Sequence, residues 1–172
     1  LWTRVTPPAG HTADIPVQWE VATDAAFGTI VAKGQASATE AKDFTVKVDA
    51  TGLQPATAYH FRFSAYAARS ATARTRTLPT GSVAQVKLAV FSCANYPAGY
   101  FNAYADAARR NDLDATVHLG DYLYEYPRGG YASANAERLG RLSLPASEIV
   151  TLTDYRTRHA QYKSDTDLQA LH

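Results

Sequence analysis

The sequence holds a single cysteine, Cys93, and no methionine. One thiol cannot close a disulfide within the chain, so cysteine pairing says nothing about the compartment. No run of about 18 apolar residues occurs, which leaves nothing able to span a membrane as a helix. The opening residues Leu1-Trp2-Thr3-Arg4-Val5 read as a strand and not as a signal peptide, so an exported protein would already have lost its targeting segment. Charge of one sign is lacking too: 17 basic against 16 acidic residues leave +1. Such a balance argues against a partner held by bulk charge, whether duplex DNA or an anionic membrane. Arg69, Arg74 and Arg76 form one local basic stretch, which reads as the solvated face of a strand. No internal repeat is present, and no Asn-His or His-x-His metal motif.

What is present describes a globular chain. Its 172 residues are 46% hydrophobic and 19% charged, enough for one ordinary domain or two small ones with a real core. The texture changes part-way. Up to about residue 80, short strand signals recur at 1–6, 16–22, 28–36, 43–50, 56–67 and 70–78, several alternating apolar with polar, which suggests a β-sandwich. Leu53-Gln54-Pro55 leading to Tyr59 at the head of a strand has the form of a tyrosine corner, in which the phenol bonds upstream backbone. That stretch resembles the fibronectin type III family. Tyr59 and Trp19 are accordingly read as packing residues. Such a sandwich wants seven strands and six are countable, so an N-terminal strand is expected either to be missing or to lie outside the chain.

Pro79-Thr80-Gly81-Ser82 reads as a linker. Residues 85–92 then form a nearly continuous apolar run, expected to be a strand buried on both faces. Residues 98–111 read as a helix, and 114–121 as a second buried strand that ends in a glycine turn. This β-α-β order predicts two parallel strands. The stretch 127–145 reads as a long loop, functional or mobile. In the tail, Ile149, Leu152, Tyr155, His159 and Tyr162 recur at helical spacing, and Ser164 with Asp167 resembles a capping box.

In an open α/β sheet, ligands bind beyond the carboxyl ends of the strands. The first strand ends at Cys93 and the second at Asp121. Parallel strands lie about 4.8 Å apart, so both side chains emerge on one edge and can share a metal ion. Tyr124, three residues after Asp121, is near enough to turn into the same place. A bound cation strips the proton from a thiol and could do the same to a phenol, and this donor set suits ferric iron better than zinc. Each residue also has an ordinary reading. A strand-end cysteine is often a small inert hydrophobe, an Asp after a glycine is often a turn residue, and Tyr122, Tyr124 and Tyr126 could line one face of a β-extension. Two strand ends meeting in one β-α-β unit favour a site. His118, inside the second strand, reads as a buried histidine bonded to backbone; His60, His159 and His172 carry no motif.

Phe91-Ser92-Cys93-Ala94-Asn95-Tyr96, Gly99-Tyr100-Phe101-Asn102 and His118-Leu119-Gly120-Asp121-Tyr122-Leu123-Tyr124-Glu125-Tyr126 together resemble the PhoD family of alkaline phosphatases and phosphodiesterases. Matches continue through Glu148-Ile149-Val150-Thr151-Leu152, Asp154-Tyr155-Arg156 and Leu168-Gln169-Ala170-Leu171-His172. The resemblance implies an α+β chain: a fibronectin III-like β-sandwich over 1–80, then the first part of a calcineurin-like metallophosphoesterase domain over 81–172. It implies iron (Fe3+) at Cys93, Asp121 and Tyr124 with calcium (Ca2+) beside it, Asp121 bridging the ions and serving as the catalytic residue. Two-metal hydrolysis of small-molecule or lipid phosphate esters is the expected chemistry, in a periplasmic or secreted enzyme. Common metallophosphoesterases carry Asp-x-His and Gly-Asp-x-x-Asp where this sequence has Ser92-Cys93 and Gly120-Asp121 with Tyr124. The family continues into a Trp-Asp-Asp-His-Glu segment and later histidine motifs that this chain does not contain. The chain is therefore expected to be an N-terminal portion, inactive alone. Two rivals are a phospholipase D-type phosphodiesterase of the same family and a non-catalytic binding module with a degenerate site.

Overall fold

The computed structural model describes residues 1–172. The chain divides into two compact units, Leu1–Ala84 and Gln85–His172. Strands dominate the first unit, and the second is mixed.

In the first unit, β1 (Trp2–Arg4) pairs antiparallel with β4 (Thr45–Lys47). A larger antiparallel sheet runs β3 (Ile30–Ala38), β2 (Ile15–Ala22), β5 (Ala58–Ala65), and its far edge is shared by β6 (Ala68–Arg69) and β7 (Ala73–Arg76). The strand expected over 70–78 is the shorter β7, and β6 precedes that range. Alternation in β2 puts Ile15 and Val17 inward, where they meet Ala38, Phe44, Val46 and Phe63 in one core. Each such aliphatic side chain contributes roughly 1.5–3 kcal/mol by leaving water. The Tyr59 phenol is buried and accepts the Gln54 N–H at 2.9 Å, the upstream bond expected of a tyrosine corner. Trp19 faces Gly34 across β2 and β3. A Cβ at Gly34 would stand 2.7 Å from the indole, so the glycine is what lets the ring lie against β3.

In the second unit, β8 (Leu88–Phe91) and β9 (Ala115–His118) pair parallel, Val90 opposite Val117 and Phe91 opposite His118. Between them run a 3₁₀ turn, Tyr96–Ala98, and α1 (Asn102–Ala108). The parallel pairing follows from the β-α-β order, but burial on both faces does not occur. Phe91 packs edge-on against Tyr104 of α1 at 4.8 Å, whereas Leu88 and Val90 are half exposed and Val117 is open as well. An apolar run records that both faces can be buried. With two strands and one covering helix layer, only one face is.

The tail forms α2 (Leu152–Lys163) and α3 (Thr166–Leu171). The capping box stands at Thr151 and Asp154, each side chain taking the other's backbone N–H. Ser164 instead closes α2, and Asp165 caps α3 by accepting from Asp167 and Leu168. Ile149 precedes α2, and Leu152 and Tyr155 are exposed; the side chains α2 buries are Arg158 and Tyr162. A second core gathers Ala94, Phe101, Tyr104, Tyr162 and Leu168. The loop 127–145 is tied down: Arg128 Nε donates to the Ser143 carbonyl at 2.8 Å, and Gln161 Nε2 to that of Leu142 at 2.7 Å. Buried Arg141 donates to Asp165 at 2.7 Å and to the Tyr96 carbonyl at 2.7 Å, its guanidinium 3.7 Å from the Tyr96 ring centre. No helix in the chain is long and apolar enough to cross a membrane.

Candidate functional site

The strands stop at Phe91 and His118, short of the ends expected at Cys93 and Asp121. In the turns just beyond them these two residues take left-handed backbone, Cys93 at φ 61° and Asp121 at φ 50°. For non-glycine residues this conformation costs roughly 1–2 kcal/mol each, and such strain concentrates where function requires a particular side-chain direction. Gly120, at φ 133°, supplies the turn that only glycine makes readily. The two ends are stitched together: Cys93 N–H donates to the Gly120 carbonyl at 3.2 Å, and Ala94 N–H to that of Asp121 at 2.9 Å.

This stitching brings the side chains into contact. The Cys93 thiol lies 3.6 Å from Asp121 Oδ2 and donates to it. The Tyr124 phenol stands close enough to Cys93 and Asp121 to feel both of their charges. Thiol, carboxylate and phenol thus cluster in one place, with Cys93 and Asp121 exposed to solvent. The electrostatics are those of crowded acids. Nearness to Cys93, then loss of water, then the charges of Asp121 and Tyr131 push the Tyr124 phenol up to about 12. A cation placed among the three would reverse that pressure, because it favours the deprotonated form of every one of them. In donor chemistry the set fits a metal ion. No group of three or more His, Cys, Asp or Glu side chains able to hold an ion is present; here the third donor is a phenol.

The three tyrosines of 122–126 do not share a face. Tyr122 turns inward, against His118 at 5.2 Å and stacked on His159 at 5.7 Å, while Tyr124 stacks on Tyr126 at 5.9 Å. The segment is not a strand, so no β-extension forms. His118 Nδ1 accepts the Gly120 N–H at 3.3 Å, which leaves Nε2 to carry the proton shared with the Tyr104 hydroxyl at 3.0 Å. The histidine therefore braces the turn that carries Asp121. Burial holds its pKa below 6.5, against an opposing pull from Asp121.

Of the supporting residues, Tyr162 lies on the helical face read from the sequence, whereas Arg158 was not marked there. Arg158 is buried, with Nη1 on the Tyr124 carbonyl, Nη2 on those of Tyr126 and Pro145, and Nε on that of Leu144 at 2.8 Å. One turn later on α2, the Tyr162 hydroxyl accepts the N–H of Tyr96 at 3.0 Å. An arginine four residues before a tyrosine on an otherwise helical face was the one available signal, and it reads just as well as solvent exposure.

Comparison with known proteins bears on the whole chain. The family described as PhoD-like phosphatase matches residues 88–172, and its N-terminal domain matches residues 1–79. The chain belongs to the PhoD-like phosphatase family. Alkaline phosphatase D of Bacillus subtilis (strain 168) is 41% identical over 179 residues, covering 100% of this chain and 30% of that protein. The solved structure described as "Structure of PhoD" superposes with a TM-score of 0.91 at 40% identity, covering 99% of this chain and 33% of that one. The chain thus spans about a third of the length of these relatives.

Proposed function

We propose that this chain carries part of the active site of a metal-dependent alkaline phosphatase or phosphodiesterase of the PhoD type. The observation that carries the reading is the Cys93–Asp121 contact, with the Tyr124 phenol close by, assembled after two strand ends in strained backbone. Strand-end loops of a parallel sheet are where α/β enzymes place their chemistry, and these three donor types together suit a hard, highly charged cation. Cys93, Asp121 and Tyr124 would hold Fe3+, with Ca2+ alongside and Asp121 shared between the ions. Bound there, the ions would polarise phosphoryl oxygens and lower the pKa of water. The chain's own residues hold the ligands in place: His118 braces the Asp121 turn, and Arg158 fixes Tyr124 by its carbonyl. Three donors leave an ion's coordination incomplete, so residues 1–172 alone would bind metal weakly and turn over little substrate.

The same reading takes the first unit as a fibronectin III-like sandwich and the second as calcineurin-like, in a periplasmic or secreted enzyme. Cleavage of monoesters, diesters or phospholipids would use this same centre. The test is the visible spectrum and phosphatase activity of the full-length protein. A charge-transfer band from phenolate or thiolate bound to ferric iron is expected, lost in both Tyr124→Phe and Cys93→Ser. An active but colourless parent would rule out iron at these ligands. Parallel assays on a monoester, a diester and a phospholipid sort the substrate class, and absence of turnover on all three would remove the phosphoesterase reading.

A further inference from the structure

Beside Cys93 and Tyr124 lies a group of aromatic rings that the hydrolytic chemistry does not require. The rings of Tyr124, Tyr126 and Tyr131 form a triangle, with centroids 5.9, 6.2 and 5.7 Å apart. Tyr126 is 46% exposed and Tyr131 62%. Two exposed tyrosines packed on a third, half-buried one are unusual, since large aromatics gain most by leaving water.

The cluster is built on fixed backbone. Arg158 holds the carbonyls of both Tyr124 and Tyr126. Asn95, two residues beyond Cys93, donates through Nδ2 to the Tyr131 carbonyl at 3.1 Å. The rings and the acid cluster therefore share one scaffold, and the loop that carries Tyr131 is tied to the loop that carries Cys93. A rigid, open aromatic surface next to a reaction centre binds flat groups by stacking, with little ordering cost on the protein side.

We propose that Tyr126 and Tyr131 form a stacking subsite for the planar ring of a phosphate ester, aryl or nucleobase, whose phosphoryl group occupies the Cys93–Asp121–Tyr124 centre. The proposal rests on the phosphoesterase reading and adds to it a class of leaving group. Tyr124 closes the triangle on the phosphoryl side, so ring and phosphorus are held next to each other.

The experiment compares kcat/KM for phenyl phosphate, adenosine monophosphate and glycerol phosphate in the full-length protein and in its Tyr126→Leu and Tyr131→Leu variants. Leucine keeps apolar bulk but removes the π-face. The preference for ring-bearing esters over glycerol phosphate should fall by up to about tenfold in each variant, mainly through KM, and Tyr126→Phe and Tyr131→Phe should restore it. Loss confined to phenyl phosphate identifies an aryl site, and loss confined to the nucleotide a nucleobase site. An unchanged preference, or a phenylalanine variant as poor as leucine, overturns the proposal. If the parent hydrolyses none of the three, the phosphoesterase reading fails separately. Stacking is then decided by NMR on the 172-residue chain. Tyr126 and Tyr131 ring protons should shift with phenyl phosphate or adenosine monophosphate but not with inorganic phosphate, and no shift overturns the subsite.

Discussion

Arg158 holds Tyr124 by its backbone: the buried guanidinium donates to the Tyr124 carbonyl, while Tyr162, one helical turn on, accepts the N–H of Tyr96 at 3.0 Å. The backbone carbonyl of a candidate ligand thus ends on α2. Replacing Arg158 with Met leaves four carbonyls, those of Tyr124, Tyr126, Leu144 and Pro145, without their donor. A loss of about 3 kcal/mol in the second unit is expected, read from its chemical denaturation curve. In the metal-loaded protein the same variant should weaken or shift any Tyr124 charge-transfer band, although Arg158 does not touch the phenol.

Asp165 lies 2.7 Å from Arg141, and both side chains are less than a tenth exposed. Removing one member of a buried pair leaves the other charge desolvated, which costs roughly 3–5 kcal/mol. Asp165→Ala also removes the α3 cap. It should therefore destabilise more than Thr151→Ala, which removes only the α2 cap at about 1 kcal/mol. Urea midpoints of the two variants check the order.

Gly34→Ala should destabilise the first unit by about 2 kcal/mol, because the new methyl meets the Trp19 ring, a clash that only backbone shift or ring rotation relieves. A smaller side chain at position 19 should recover part of the loss. A double-mutant cycle with Trp19→Leu, followed by thermal unfolding, measures that coupling.

His118 gives the second unit a dependence on acid. Its folded pKa lies below 6.5, chiefly through burial, so below that pH the unfolded chain binds more protons than the folded one. The stabilisation is complete above about pH 6.5 and is lost as the pH falls through the folded pKa. Protonation at Nδ1 also ends its acceptance of the Gly120 N–H. Unfolding curves at a series of pH values should show this slope, and His118→Asn should reduce it. The remainder comes from His172, whose pKa is held down to about 4, chiefly by loss of water.

Ferric titration of the isolated chain tests the donor set apart from turnover. Weak colour is expected, abolished by Tyr124→Phe and by Cys93→Ser. Folding stability should change little in either variant, since Cys93 is exposed and the Tyr124 segment is held by its backbone. Visible titration with parallel circular dichroism separates ligand loss from unfolding.

The sequence by itself determined the parts that depend on order and local chemistry. Alternation in residues 15–22 set which side chains of β2 face the core, and Tyr59 announced its corner because the bonded atoms are five residues apart. The sequence β-α-β placed Cys93 and Asp121 at neighbouring strand ends, since parallel strands joined by one crossover must end on the same edge. Tertiary structure alone decided the rest. Tyr122 and Tyr124 have the same local pattern yet face opposite ways, and what separates them is contact with His159 and Tyr162 on α2. The apolar runs of β8 and β9 read as doubly buried, but burial depends on what packs against each face, and α1 lies against only one. Arg158 and Arg141 look like solvent-facing charges until carbonyls and a carboxylate 13 to 45 residues away close around them. Periodicity records how a segment lies on its own axis. Partners that distant in the chain leave no periodic trace.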